Sequence, residues 1–331
     1  MGNNLWERHT QLIIKEFEKY FSLKPDDIKI LSGGASGKLI HRIFIDDSSY
    51  IGIYNDDIPE NLAFIGFTKS FASVGLNVPK VYHFSEDKKI YFLNDLGDVT
   101  LHKFLLDTKN EKERMKFNRK ALDNLLKFQV KGRDIIDFSL CYQSPAFDLA
   151  QIQIDEQKFI RYYLPHNKKK TNSEIISVAL DLINDKVLSE DEIYFMYRDF
   201  QPRNIIVKDS NLFFIDYQSG RKGPLLYDLA SYIYSGSIFL SEEERTALKE
   251  HYISELDKSN IRLKNIEEKW EYIVLIRLIQ MLGSYALSYQ EKKEEYYKTK
   301  IVSAIKNLRT ISEKTGRDEI KKFSEQLEYY S

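Results

Sequence analysis

The sequence predicts an α+β protein of two lobes, a small strand-rich one followed by a larger helical one. Three observations carry this. The chain has 331 residues, 43% apolar and 30% charged, enough for a sizeable core and too long for one ordinary small domain. Up to Gly97 the apolar residues fall mainly in short alternating runs, the period of strands. Beyond Gly97 they recur at helical spacing over longer stretches. The division expected from this change is residues 1–96 and residues 97–331.

Leu5, Leu12, Ile13, Phe17 and Tyr20 share one helical face, so the chain opens with an amphipathic helix stopped before Pro25. ILSGGASGKLIHRIFI then reads as a glycine turn between strands, with Leu39, His41, Ile43 and Ile45 on one face. SSYIGIYN is a third strand in which Ile51 and Ile53 share a face. Glu60–Val74 reads as a helix, GLNVPKVYHF leads into a strand, and KKIYFLNDLGD is a further strand ending in a loop. In the second part Phe104–Leu106, Ala121–Phe128, Phe159–Leu164, Ile175–Leu182 and Tyr272–Leu287 are helical in pattern. Only IYFMYRD and NLFFID read as strands there, and HNKKKTNSE reads as a solvated loop.

Lysine and arginine number 49 against 50 for aspartate and glutamate. That balance argues against nucleic acid or an anionic membrane as the main partner, since both reward excess positive charge. The lone cysteine, Cys141, excludes an internal disulfide and a cysteine-based zinc site and reads as a structural thiol of a reducing compartment. MGNNLWERHT lacks the basic start and apolar run of a signal peptide, and it lacks the Ser or Thr that N-myristoylation wants at the sixth position. Tyr272–Leu282 is too short to span a bilayer and contains Arg277. The expectation is a soluble, cytoplasmic protein.

The chemistry concentrates in YRDFQPRN (197–204) and FFIDY (213–217). Asp199, four intervening residues, Asn204, a short hairpin and then Asp216 match the needs of phosphoryl transfer. One carboxylate orients the attacking hydroxyl and takes its proton, and oxygen ligands hold Mg²⁺ on nucleotide phosphates. Asp199 is the candidate base, and Asn204 and Asp216 are the candidate Mg²⁺ ligands, both hard oxygen donors. The alternative is a hairpin whose turn contains Asp, Pro and Asn because turns favour them. That alternative leaves Asp216 unexplained, since the preceding Phe213, Phe214 and Ile215 predict an apolar, buried setting in which a carboxylate is costly. Asp228 opens a further helix. It reads either as a support that accepts backbone donors of the catalytic loop or as a first-turn carboxylate facing the helix dipole.

YRDFQPRNIIV, FFIDYQSGRKGPLLYDLASYIY and LNDLGDVTL resemble the aminoglycoside-phosphotransferase-like branch of the bilobal protein-kinase-like fold. Within it they are most similar to bacterial kinases of cell-wall amino sugars, the N-acetylmuramate/N-acetylglucosamine 1-kinase group. The similarity runs on through RLIQMLG (277–283) and is dense only in the central block. It implies ATP and Mg²⁺ as cofactors and a small-molecule hydroxyl as acceptor, in this group the anomeric hydroxyl of an N-acetylated amino sugar. The chain departs from the pattern at Tyr197, where the family carries a histidine of mostly structural role.

SGGASGK (32–38) is not a P-loop, because the last Gly-Lys stands too close to Gly33 and Leu39 replaces the Ser or Thr that meets Mg²⁺. Gly33, Gly34, Ser36 and Gly37 fit a glycine-rich hairpin closing over phosphates with backbone amides. The third strand, YIGIYN, has no lysine. Lys38 and Arg42 are therefore the candidate cations, with Glu60 a partner, and Asn94, Asp95 and Leu96 offer backbone groups to adenine. No D-F-G, no A-P-E and only a short stretch from Asp216 to Asp228 speak against a protein substrate. Arg198, Arg203, Arg221 and Lys222 suit a neutral or acidic sugar better than a polycationic aminoglycoside, and Arg203 is a further catalytic candidate that would neutralise the transferring phosphoryl group. Asp148, Asp155, Tyr162 and Gln280 read equally as acceptor contacts or as packing and capping residues. Two other readings stay open: another small-molecule kinase, of aminoglycoside, choline or homoserine type, and a non-catalytic member that binds nucleotide or sugar.

Overall fold

The computed structural model describes residues 2–31, 38–188, 194–236, 240–263 and 265–328, with residues 2–5 as backbone alone. The chain forms two compact units. The first gathers Met1–Asp107, Asp134–Pro145 and Arg203–Gly220; the second gathers Thr108–Arg133, Ala146–Pro202 and Arg221–Ser331. The first unit is therefore not one contiguous stretch, because Arg203–Gly220 folds with the N-terminal segment.

In the first unit β1 (Asp27–Leu31), β2 (Leu39–Ile45), β3 (Ser48–Tyr54), β4 (Val81–Phe84) and β5 (Ile90–Asn94) form an antiparallel sheet in the order β1-β2-β3-β5-β4. Alternation along β2 sorts its two faces. Leu39, Ile43 and Ile45 turn to one side, where Tyr54, Ile90 and Phe92 join them and α1 (Gly2–Phe21) lays Ile13 and Phe17 across the sheet. Gly52 allows this close approach: a Cβ there would lie 2.9 Å from Ile43 Cδ1 and 3.0 Å from Ile13 Cγ2. Ile40 pairs with Ile53 and Arg42 with Ile51, and Ile51 pairs in turn with Leu93, so these residues share the other face.

α2 (Ile58–Ser73) follows β3, with Asp57 as N-cap accepting from Glu60 N. Its Phe64 stacks on Tyr217, and the Thr68 and Tyr217 hydroxyls are hydrogen-bonded at 2.6 Å. After α3 (Leu101–Asp107), the unit is completed by a hairpin of β7 (Ile205–Lys208) and β8 (Asn211–Phe214), residues 205 and 214 being paired. Two backbone bonds tie this hairpin to the unit, Val207 N to Val99 O at 2.8 Å and Phe214 N to Asn77 O at 2.9 Å.

The second unit is built on α4 (Glu111–Ile135), α5 (Leu149–Lys158), α6 (Ser173–Val187), α7 (Leu225–Ile233), α8 (Glu242–Lys258), α9 (Ile266–Lys292), α10 (Glu295–Lys314) and α11 (Asp318–Glu325), with β6 (Tyr194–Met196) paired to β9 (Arg221–Gly223). After α5 the chain widens into a π-helical turn, Phe159–Tyr163, before Pro165, which has no N–H to extend an α ladder. α9 runs through the core. Gly283 lets it touch this segment, since a Cβ there would stand 2.6 Å from Phe159 N. α9 is long and apolar enough to cross a membrane, longer than the apolar core Tyr272–Leu282 predicts, and 72% of its apolar window is buried in the protein. Strand β7 enters the sequence expectation only as the unassigned first arm of the hairpin after Asn204, and β9 is absent from it. One is four residues long and the other is the charged triplet RKG, so tertiary pairing makes them strands where local pattern does not.

Candidate active site

The first unit contains a cavity of about 570 Å³, within the range of small-ligand sites. Ile40, Ile51, Ile53 and Leu93 of the sheet, with Leu96 and Ile206, give it apolar walls; Lys38, Asn204, Asp216 and Gln218 belong to its polar lining.

These polar groups form one continuous chain of contacts. Lys38 Nζ lies 2.8 Å from Glu60 Oε1, with both side chains largely withdrawn from solvent. Glu60, in the first turn of α2, also accepts from Asn55 Nδ2 at 2.9 Å and from Gln218 Nε2 at 3.1 Å. The same Gln218 amide donates to Asp216 Oδ1 at 2.8 Å, and Asn204 Nδ2 donates to Asp216 Oδ2 at 3.2 Å. The backbone enforces the last contact, because Ile215 N donates to Asn204 O at 3.0 Å across the mouth of the β7–β8 hairpin.

Asp216 corrects one expectation. Its side chain is exposed, not buried behind Phe213–Ile215. The cost at this position lies in the backbone, with φ at +69° in the left-handed region. That turn lifts the carboxylate out of the strand plane and into the cavity lining.

Arg42 lines the cavity too, but two carboxylates hold it: Asp98 accepts at 2.7 and 2.8 Å, and Asp95 Oδ2 lies 2.5 Å from Nε. The contact keeps the Asp98 carboxyl below the usual carboxylate range. Asp95 also accepts from Ser49 Oγ at 2.8 Å and Gly97 N at 2.8 Å, while its carbonyl accepts from Lys208 Nζ at 3.1 Å. Asn94 Oδ1 accepts from Lys80 N at 2.6 Å. Asn94, Asp95, Leu96 and the exposed Arg203 all line the cavity. Gly33, Gly34, Ser36 and Gly37 lie outside the described residues.

The lining fits a nucleotide and a hard cation. Asn204 and Asp216 present an amide and a carboxylate, the oxygen donors Mg²⁺ prefers. Gln218 turns its amide nitrogen to two carboxylates, which leaves its buried Oε1 without a hydrogen-bond partner among the described residues, an acceptor suited to a bound group.

Asp199 belongs to the second unit, on the loop after β6. Its neighbour Arg198 has φ at +79° and is buried. Asp228, in the first turn of α7, is fully buried and accepts from Tyr197 N at 2.7 Å, Arg198 N at 2.9 Å and Gln129 Nε2 at 3.0 Å. Burial pushes the Asp228 carboxyl up to about 7, against the pull of those donors. Arg198 reaches Asp155 at 2.5 Å and Tyr227 OH at 3.0 Å. Arg277 of α9 donates to the same hydroxyl at 3.3 Å and to Gln280 Oε1 at 2.6 Å, and its Nη2 lies 3.7 Å from Asp199 Oδ1.

Two groups of sequence candidates are thereby sorted. Asp148 caps α5 by accepting from Gln151 N at 2.9 Å, Asp155 is engaged with Arg198, and the Tyr162 carbonyl accepts from Gln290 Nε2. Gln280 stays half-exposed beside Arg277. Among the cations, Arg198 and Arg221 are buried, the latter bonded to Gln151, so neither is a surface charge; Arg203 and Lys222 are exposed.

The profile of the Phosphotransferase enzyme family matches residues 53–262, well over half the chain. The chain belongs to this family. As a small-molecule phosphotransferase it has relatives with names of their own. A Neisseria meningitidis protein named N-acetylmuramate/N-acetylglucosamine kinase is 22% identical over 297 residues, 86% of either chain. A protein of the same name from Pseudomonas aeruginosa is 26% identical over 171 residues, 50% of this chain and 47% of that one. Solved structures share the protein-kinase-like fold: an amicoumacin kinase in complex with AMP-PNP and Ca²⁺, with a TM-score of 0.68 at 10% identity over 98% of both chains, and a choline kinase from Streptococcus pneumoniae, with 0.64 at 15% identity over 92% of this chain and 99% of that one.

Two residues of the phosphotransferase escape a sequence reading. Gln218 sits in the quoted motif but has no role until its amide is seen to join Glu60 and Asp216. Arg277 stands in the sequence as the first residue of RLIQMLG and as a charge inside an apolar helix, with no role assigned; the charge is a signal in itself, because a buried guanidinium needs partners.

Proposed function

We propose that this phosphotransferase uses ATP and Mg²⁺ to phosphorylate the anomeric hydroxyl of an N-acetylated amino sugar, N-acetylmuramate or N-acetylglucosamine. The observation that carries the phosphotransfer reading is the unbroken polar chain Lys38–Glu60–Gln218–Asp216–Asn204, four members of which line a cavity with apolar walls. The acceptor class is supported by the names of the relatives from Neisseria and Pseudomonas.

In this reading the apolar walls take the adenine, beside the backbone of Asn94–Leu96. Lys38, held by Glu60, is the cation for the phosphates, because Arg42 is already matched by Asp95 and Asp98. Asn204 and Asp216 hold Mg²⁺, which when bound neutralises charge on the phosphate oxygens. Asp199 orients the acceptor hydroxyl and takes its proton. The sugar oxygen bonds to the γ-phosphorus, the bond from that phosphorus to the β–γ bridging oxygen breaks, and ADP leaves. Arg203 offers a positive charge to the transferring group.

The test is ADP release from Mg²⁺-ATP with N-acetylmuramate, N-acetylglucosamine, choline and an aminoglycoside as separate acceptors. The proposal expects stimulation by one or both amino sugars. Stimulation by choline or the aminoglycoside alone rejects the acceptor but keeps the phosphotransfer, and ATP binding with no stimulation by any of the four rejects the proposal.

A further inference from the structure

Arg277 is almost fully buried, at 2% exposure, in a helix whose neighbouring residues Ile273, Val274, Ile276, Leu278 and Ile279 are apolar. A guanidinium in such a setting costs several kcal/mol unless its donors are used, yet Arg277 Nε has no hydrogen-bond partner among the described residues. The donors that are engaged all point one way. One Nη meets Tyr227 OH and Gln280 Oε1, and the other faces the half-exposed Asp199 carboxylate at 3.7 Å. Gln280 in turn donates to Ser284 Oγ at 3.0 Å, so a polar stripe of Arg277, Gln280 and Ser284 runs along the middle of a helix, residues 272–286, that is otherwise buried. Tyr227 OH accepts from both Arg277 and Arg198, and Arg198 is neutralised by Asp155. Asp228 holds the backbone of the loop at residues 197 and 198. The hydrogen bonds of Asp228 go to that backbone and to Gln129, so its task is loop support.

We infer that Arg277 is a positioning residue that sets the orientation of the Asp199 carboxylate, with Tyr227 and Gln280 fixing its guanidinium plane. The inference rests on the reading of Asp199 as the group that orients the acceptor hydroxyl. A separation of 3.7 Å exceeds a hydrogen bond, so the pair acts as a charge contact that aligns the Asp199 carboxylate with the guanidinium. The planar fork is what lets one side chain serve Tyr227, Gln280 and Asp199 together; a lysine ammonium supplies the charge without that geometry.

The experiment compares Arg277→Met and Arg277→Lys with the parent by steady-state kinetics, using whichever acceptor the ADP-release screen identifies, with Asp199→Asn as reference. A positioning role predicts a kcat about 100-fold lower for Arg277→Met, the scale of a misplaced catalytic group, with KM for ATP within about twofold of the parent. Arg277→Lys should recover about tenfold of that loss, a rescue by retained charge that a purely structural residue would not give. A folded Arg277→Met enzyme with parental kcat overturns the inference, and so does an Arg277→Lys enzyme no better than the methionine variant. Should Arg277→Met not fold, Arg277→Lys decides alone: a kcat about tenfold below the parent with unchanged KM for ATP supports the role, and a parental kcat overturns it. Full turnover in Asp199→Asn would instead sink the underlying assignment of the base, whatever the Arg277 variants do.

Discussion

Asp216 adopts φ of +69° while carrying a carboxylate into the cavity lining, a conformation that a non-glycine residue keeps only when the surroundings enforce it. Gln218 and Asn204 supply that enforcement by donating to its two oxygens. Asp216→Ala should therefore leave the fold intact and remove the Mg²⁺ dependence of nucleotide binding. Calorimetry of ATP with and without Mg²⁺ checks this, and a variant that still gains affinity from the metal contradicts it. Lys38 offers a second test at this scale. Lys38→Met strands Glu60 with amide donors alone, at a cost of about 1–3 kcal/mol in stability, and should weaken ATP binding. Adding Glu60→Gln should restore the melting temperature but not the affinity, which separates the structural from the ligand-binding share of the pair. Sequence spacing made Asp199, Asn204 and Asp216 legible because a template has fixed offsets. It could not show that Arg42 is matched by Asp95 and Asp98, since 53 and 56 residues separate those partners.

Periodicity makes the elements readable wherever a segment has one apolar face. β2 alternates over seven residues and α2 fills its own helical pattern, so both stand where the pattern puts them. β9 and the π-helical turn do not announce themselves, because each owes its conformation to a partner elsewhere in the chain or to Pro165. The two glycines of close approach show how differently such contacts respond to change. A Cβ at Gly52 meets the tips of Ile43, Ile13 and Phe92, whereas a Cβ at Gly283 meets the backbone of Lys158 and Phe159 at 2.9 and 2.6 Å. Side-chain tips can yield and backbone cannot. Gly283→Ala should therefore destabilise the protein by about 1–3 kcal/mol, and by more than Gly52→Ala, in chemical denaturation. Equal costs would mean that α9 shifts freely against the π-helical segment.

For the whole molecule, a strand-rich beginning and a helical remainder were visible in composition and period alone. The return of Arg203–Gly220 to the first unit was not, since it depends on backbone bonds from Val99 and Asn77. One global property follows from a single buried group. Asp228 titrates near 7 when folded and near 3.8 when unfolded. Between those values the native state binds more protons than the unfolded chain, so this contribution is full below about pH 4 and is lost as pH rises through about 7. Melting temperatures taken between pH 5 and pH 8 should contain a downward component that Asp228→Asn removes. An unchanged pH profile in that variant would assign the component elsewhere. The central claim, that this phosphotransferase works through Asp199, is tested most directly by ADP release and ATP binding in Asp199→Asn. Turnover roughly two to four orders of magnitude lower, with ATP bound as tightly as by the parent, is the predicted result, and parental turnover would contradict it.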